Sequence, residues 1–247
     1  TINFSPKMLE GSITGSSLEE VIKQVPSKDG RVTDSSAVAA HPSLSNTTDL
    51  SNITSLVDLR ARLDSLDDCP LKHTASNLCF ADGNPGARVM IIGEAPGRDE
   101  DRMGVPFVGS AGQLLDKMLA SVGLDRVSTY LTNILPWRPP GNRTPTAEEI
   151  VMLKPWLFRH VQLADPDLIL LLGGAAAKFV FGSLDGILKV RGKWLDTDFG
   201  DGVMRPTLAS LHPTYLLRSP AQKRLAFDDL LILASRLNLP ATDNKSS

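Results

Sequence analysis

Cysteine, aromatic residues and net charge are all scarce in this chain, and each shortage removes a class of protein. Two cysteines, Cys69 and Cys79, in 247 residues cannot make the disulfide framework of a small secreted domain, so a reducing cytoplasm is the expected compartment. Aromatic residues make up 5% of the chain. No apolar run approaches the ~20 residues that span a bilayer, so no membrane association is expected. No charged-then-apolar leader pattern is found either. The formal net charge is −2, so no global basic field advertises a polyanionic partner. Charge is uneven, however. Residues 1–50 hold four basic and six acidic groups, and the remainder balances at 22 of each.

Hydrophobic content of 42% is enough for one sizeable core. Residues 1–50, rich in Ser, Thr, Pro and Gly, read as a disordered polar tail. Within it, Leu18–Val25 has the spacing of a helical turn or two that a partner could take up. A folded domain is expected over 51–239, followed by a polar tail over 240–247.

Inside that domain the apolar periodicity alternates. Leu56, Leu59, Leu63 and Leu66 predict an amphipathic helix over Ile53–Asp67. Arg88–Ile92 reads as a strand that stops at Gly93, followed by Glu94-Ala95-Pro96-Gly97, an acidic turn and Pro106-Phe107. A helix follows over Gln113–Val122. Thr129–Asn133 is a second strand, and Arg138–Arg143 a rigid cationic loop. Thr146 with Glu149 makes a capping box for a helix through about Leu163. Asp167–Leu172 is a third strand, with a short helix over Ala175–Phe181. An irregular β-stretch begins at Gly192, a fourth strand covers Pro206–Leu211, and a last helix covers about Ala221–Leu237. Strands alternating with helical crossovers predict an α/β protein, a three-layer α/β/α sandwich around a short, mostly parallel sheet.

Glu94, Asn133 and His212 each follow a predicted strand at its carboxyl end, where open α/β sheets bind ligands. Phe107 lies on the loop after the first. A planar heterocycle would use all of them. Phe stacks on the ring, Asn offers a donor and an acceptor to an imide edge, and His donates to an oxygen that gains charge. Beyond His212, Leu216 and Leu217 are flanked by Arg218, Lys223 and Arg224. That pattern suits either a wedge entering a base stack or the start of the core face of the last helix. A nucleotide-binding reading, with Gly93–Gly97 cradling phosphate, lacks the glycine spacing and the Lys-Ser/Thr pair of a P-loop.

Several ordered motifs resemble the family 4 uracil-DNA glycosylases. They are Gly93-Glu94-Ala95-Pro96-Gly97, Gly104-Val105-Pro106-Phe107-Val108-Gly109, Thr132-Asn133, Arg138-Pro139-Pro140-Gly141-Asn142-Arg143 and His212-Pro213-Thr214-Tyr215-Leu216-Leu217-Arg218. The resemblance covers roughly Leu66–Leu237. It implies release of uracil from DNA by hydrolysis of the N-glycosidic bond of deoxyuridine, the first step of base-excision repair, by a monomer acting on uracil-containing DNA. It implies a uracil site at Gly93, Glu94, Phe107, Asn133 and His212, with Glu94 and His212 catalytic. Ala95 and Gly97 stand where the related classical family has an Asp that orients water and a Tyr that excludes the thymine methyl. Glu94 is expected to take part of one or both duties.

DNA is expected to meet Arg138, Arg143, Leu216, Leu217, Arg218, Lys223 and Arg224. A repair-protein partner is the candidate occupant of the N-terminal tail. A non-catalytic uracil or lesion sensor of the same fold is the alternative. Asn133–Arg143 lacks the inserted basic loop of the sibling group that cross-links to uracil DNA, so a turning-over hydrolase is expected.

One departure from the pattern is plain. Typical members hold a four-iron cluster on four Cys, and here only Cys69 matches a ligand position. The other positions fall at Leu66, Trp137 and near Leu153, so no iron–sulfur cluster is expected and no metal ligand is assigned. The three apolar replacements are expected to meet and fill its volume.

Overall fold

The structure, a computed structural model, describes residues 50–182 and 185–237. The expectations for the polar tails and for a partner helix at Leu18–Val25 lie outside the described residues. Leu50, assigned to the tail, is instead buried in the core.

The apolar runs become the centre of a six-stranded sheet. Its strands are β1 (Asp82–Gly83), β2 (Val89–Gly93), β3 (Thr129–Asn133), β4 (Leu168–Leu172), β5 (Trp194–Asp198) and β6 (Met204–Ser210). Their spatial order is β1-β3-β2-β4-β6-β5. The inner four run parallel, and β1 and β5 pair antiparallel at the two edges. Every residue of β2, β3 and β4 is buried, as expected of parallel strands covered by helices on both faces.

The helices are α1 (Leu56–Asp64), α2 (Pro70–Thr74), α3 (Arg98–Met103), α4 (Ser110–Ala120), α5 (Ala147–Ala164), α6 (Gly174–Phe181), α7 (Ile187–Val190), α8 (Pro213–Arg218) and α9 (Lys223–Leu237). Alternate strand residues face alternate layers. Met90, Ile92, Ile169 and Leu171 pack with Leu59, Leu63, Leu157 and Ala177 of α1, α5 and α6. Val89, Ile91, Leu170 and Leu172 pack with Leu115, Leu119, Leu230 and Leu233 of α4 and α9. This is the expected three-layer sandwich. The Thr146–Glu149 capping box starts α5, with Thr146 N–H donating to the Glu149 carboxylate at 2.9 Å and Glu149 N–H to Thr146 Oγ1 at 3.2 Å.

Local differences have local causes. The single helix expected over Ile53–Asp67 ends early, and Pro70, at the first position of α2, starts a second one. The acidic turn after Gly97 is α3, whose end is set by Gly104 at φ +69°. The irregular stretch from Gly192 resolves into β5, a regular edge strand. The loop after His212 is α8, with His212 as its N-cap and Pro213 at its first position.

Candidate active site at the carboxyl ends of the strands

Register brings the site together. Gly93 of β2 lies directly beside Asn133 of β3, and Leu172 of β4 beside Ser210 of β6, two residues before His212. Glu94, Asn133 and His212 therefore leave the same end of the sheet. Phe107 reaches over this end and is buried. A Cβ on Gly93 would lie 2.5 Å from both Asn133 Oδ1 and Phe107 Cζ, so only glycine keeps ring and amide this close to the strand. The Phe107 ring also faces the His212 imidazole, with centroids 6.2 Å apart and planes inclined by 29°. Phe107 thus stands next to both Asn133 and His212 at one end of the sheet.

His212 is held in one protonation state and one tautomer. Burial first, and the nearby Arg218 cation second, lower its pKa from 6.5 to about 4, so the ring is neutral at pH 7. Its Nδ1 accepts the Thr214 N–H at 3.1 Å as the N-cap of α8. A neutral imidazole that accepts at Nδ1 carries its proton on Nε2. At Gly173 (φ +93°), just past β4, an added Cβ would come 3.0 Å from His212 Cβ, so a glycine is needed there as well to let His212 approach.

Glu94 is partly buried, and that burial raises its carboxyl pKa above the ordinary value. The backbone of the Glu94 segment is locked to the next strand, since its carbonyl accepts the Leu135 N–H at 3.1 Å. Glu100, which carries no signal in the sequence beyond an acidic run, proves to be a staple. One carboxylate oxygen accepts the Gly97 N–H at 3.0 Å and the other the Gly109 N–H at 2.8 Å, tying both arms of the Phe107 loop.

These observations meet an independent one. Residues 80–232 match the sequence profile of the Uracil DNA glycosylase superfamily. Over 171 residues the chain is 42% identical to a type-4 uracil-DNA glycosylase of Archaeoglobus fulgidus, covering 67% of this chain and 85% of the relative. A type-4 enzyme of Thermotoga maritima is 39% identical over 165 residues, covering 66% and 84%. A DNA polymerase of Bacillus phage SP01 is 34% identical over 156 residues, which span 63% of this chain and 16% of that one. The chain belongs to the type-4 uracil-DNA glycosylase family.

Around the crevice of this family member, the expected DNA-facing groups divide. Leu217 is 43% exposed, but Leu216 is fully buried against Leu211 and Ala226. Leu216 is therefore core, not wedge. α8 turns it inward because helical spacing sends adjacent residues to different faces. Arg218, Lys223 and Arg224 are exposed. The other two cations are engaged. Arg138 Nε donates to Asn142 Oδ1 at 2.7 Å, and Arg143 grips Glu149 with both terminal nitrogens, at 2.9 and 2.5 Å. That pair holds the Glu149 carboxyl below its ordinary pKa.

The positions that correspond to cluster ligands do not fit an iron–sulfur group. Cys69, Trp137 and Leu153 are buried in one apolar cluster, and the partly buried Leu66 packs against it. Only one of the four offers a thiolate, and burial raises the pKa of that Cys69 thiol. Cys79, also buried, donates instead to the Glu100 carbonyl at 3.1 Å. Among the described residues no three His, Cys, Asp or Glu side chains are grouped so as to hold a metal, and no helix is long and apolar enough to cross a membrane.

Proposed function

We propose that this protein hydrolyses the N-glycosidic bond of deoxyuridine in DNA, releasing uracil and leaving an abasic site. The observation that carries the reading is the convergence of Phe107, Gly93 and Asn133 at one end of the sheet, beside a neutral His212 with its proton on Nε2. The nucleotide leaves the stack at a cost of a few kcal/mol, and Leu217 fills part of the gap it leaves. Phe107 takes one face of uracil. Asn133 accepts from N3–H and donates to O4, a pattern that cytosine reverses. As the glycosidic bond breaks, negative charge gathers on O2, where the His212 Nε2–H donates. A neutral donor already in place stabilises that charge without rearrangement. Glu94, whose raised pKa makes it a stronger base, orients the attacking water. Arg218, Lys223 and Arg224 hold phosphates.

The same proposal assigns no iron–sulfur cluster to this chain. Trp137, Leu153 and Leu66 brace the Arg138–Arg143 loop in its place, since burying each such side chain contributes about 1.5–3 kcal/mol. Two unpaired buried cysteines suit a reducing compartment.

Incubation with labelled oligonucleotides carrying uracil, thymine or hypoxanthine, followed by alkaline cleavage, tests the reaction. Strand scission at uracil and none at thymine is expected. Tight binding of uracil DNA without scission would replace the hydrolase with a lesion sensor. Protein purified without oxygen is expected to be colourless and free of iron and sulfide. Stoichiometric iron and sulfide would overturn the cofactor assignment.

A further inference from the structure

We propose that Arg126 is a positioning residue for base stacking, setting the plane of the Phe107 ring through the Phe107 carbonyl. The inference rests on the reading of Phe107 as the ring that stacks on uracil.

Phe107 holds an unusual backbone. Among the described residues three non-glycine residues have positive φ: Phe107 at +57°, Asn142 at +55° and Asp165 at +44°. Asn and Asp tolerate this region, because their short polar side chains bond locally. A phenylalanine does not, so surrounding contacts must hold it there. Two contacts do. The carbonyl of Phe107 lies against the first turn of α4, where a Cβ on Gly112 would be 1.7 Å from the oxygen. The same carbonyl accepts a hydrogen bond from Arg126 Nη2.

Arg126 stands in the turn before β3 and is fully committed. Its Nε donates to Asp116 Oδ1 at 2.8 Å and its Nη2 also to Asp116 Oδ2 at 3.4 Å. Its Nη1 donates to Asp82 Oδ2 at 2.5 Å and to the Pro106 carbonyl at 3.4 Å. Asp82 belongs to β1 and Asp116 to α4, so the planar fork is fixed by two elements and aimed at two consecutive carbonyls of the stacking loop. The two aspartates occupy three of the five N–H donors of the guanidinium, and the remaining two go to the stacking loop. The bonds to Pro106 and Phe107 give the fork a second purpose.

If Phe107 relaxed to negative φ, its ring would leave its place beside Gly93 and Asn133. Arg126 therefore keeps the ring in place before DNA arrives. Lysine cannot replace it, because an ammonium lacks the planar fork that serves carboxylates and carbonyls together.

A double-mutant cycle tests this. In the wild-type background Arg126→Gln and Arg126→Lys should each slow single-turnover release of uracil about 10- to 100-fold, the scale of a small misplacement of a reacting group. Affinity for undamaged DNA should stay unchanged. In a Phe107→Ala background the same substitutions should add about twofold or less, because the ring they position is gone. Binding of DNA carrying 2′-fluorodeoxyuridine, compared with thymidine DNA, repeats the cycle without turnover. Equal losses in both backgrounds would make Arg126 a general brace and overturn the inference. Full activity in Arg126→Lys, which keeps the charge beside Asp82 and Asp116, would overturn it as well. Wild-type protein that neither releases uracil nor prefers 2′-fluorodeoxyuridine DNA would instead overturn the function on which it rests.

Discussion

Asn133 and Trp137 are four residues apart, yet they belong to regions built on opposite rules. At Asn133 the chain makes a crevice in which atoms face specific atoms. Glycine is required at 93 and 173, Nδ1 of His212 is occupied, and a carboxylate staple fixes the loop. At Trp137 the chain makes a volume in which Cys69, Leu153 and Trp137 need only be apolar and fill space. Directional contacts do not tolerate exchange of chemical type. Space-filling contacts do, provided volume is kept. A family ligand set can thus disappear from one region while the neighbouring one keeps its residue types.

The comparison can be broken most forcefully at Trp137. Trp137→Ala should remove about 3–5 kcal/mol of stability through the cavity it leaves. Uracil release measured well below the unfolding midpoint should change only a few-fold. Thermal unfolding beside single-turnover kinetics checks both, and a large rate loss in a fully folded variant would mean that the regions are not separable.

His212→Ala is the opposite case. Losing a preorganised donor to a developing anion costs about 100- to 1,000-fold in rate. The unfolding midpoint should fall by only a few degrees, the cost of losing the cap of α8. A rate within twofold of wild type would remove His212 from the chemistry.

A smaller effect sharpens the contrast through pH. His212 has its pKa lowered from 6.5 to about 4, and the buried His160, bonded to Tyr130, has its pKa lowered to about 3. The unfolded chain takes up protons near pH 6.5 that the folded chain refuses. The stability present in full above that pH is therefore lost as pH falls toward 3 or 4. The unfolding midpoint should drop between pH 7 and pH 5, and His212→Asn should lessen the drop. The uracil-release rate should stay level from pH 8 to 6, since the imidazole is already neutral.

The smallest effect concerns the rim. Arg218→Gln should reduce the salt slope of DNA binding by about one unit. Arg143→Gln should act mainly on stability, because its guanidinium is paired with Glu149. Equal changes in salt slope from both variants would show that Arg143 leaves Glu149 for phosphate.

Much of this was legible because short apolar runs alternate with segments of helical period, the pattern of parallel strands joined by helical crossovers. Glu94, Asn133 and His212 were legible from their positions at those ends. What escaped was set by contacts distant in sequence or by helices without an apolar stripe. α3 reads Arg-Asp-Glu-Asp-Arg-Met and shows no period, so it passed for a turn. α8 hid behind Pro213, which reads as a loop residue until His212 is recognised as a cap. Leu216 and Leu217 look alike in sequence, and only the helix distinguishes inside from outside. Neither the left-handed backbone of Phe107 nor the fork of Arg126 leaves a local pattern, because each is imposed by partners brought in by the fold.

The apolar cluster around Trp137 also bears on how the protein is made. A brace built from side chains is finished when the chain folds. Under the proposed assignment without a cluster, it needs no sulfur donor, no iron delivery and no protected assembly step, and dioxygen has nothing there to bleach. Its one thiol, that of Cys69, is fully buried and so shielded from oxidants. On that proposal, synthesis of a working molecule depends on the ribosome alone, and growth under iron starvation should leave the specific activity of the purified enzyme unchanged.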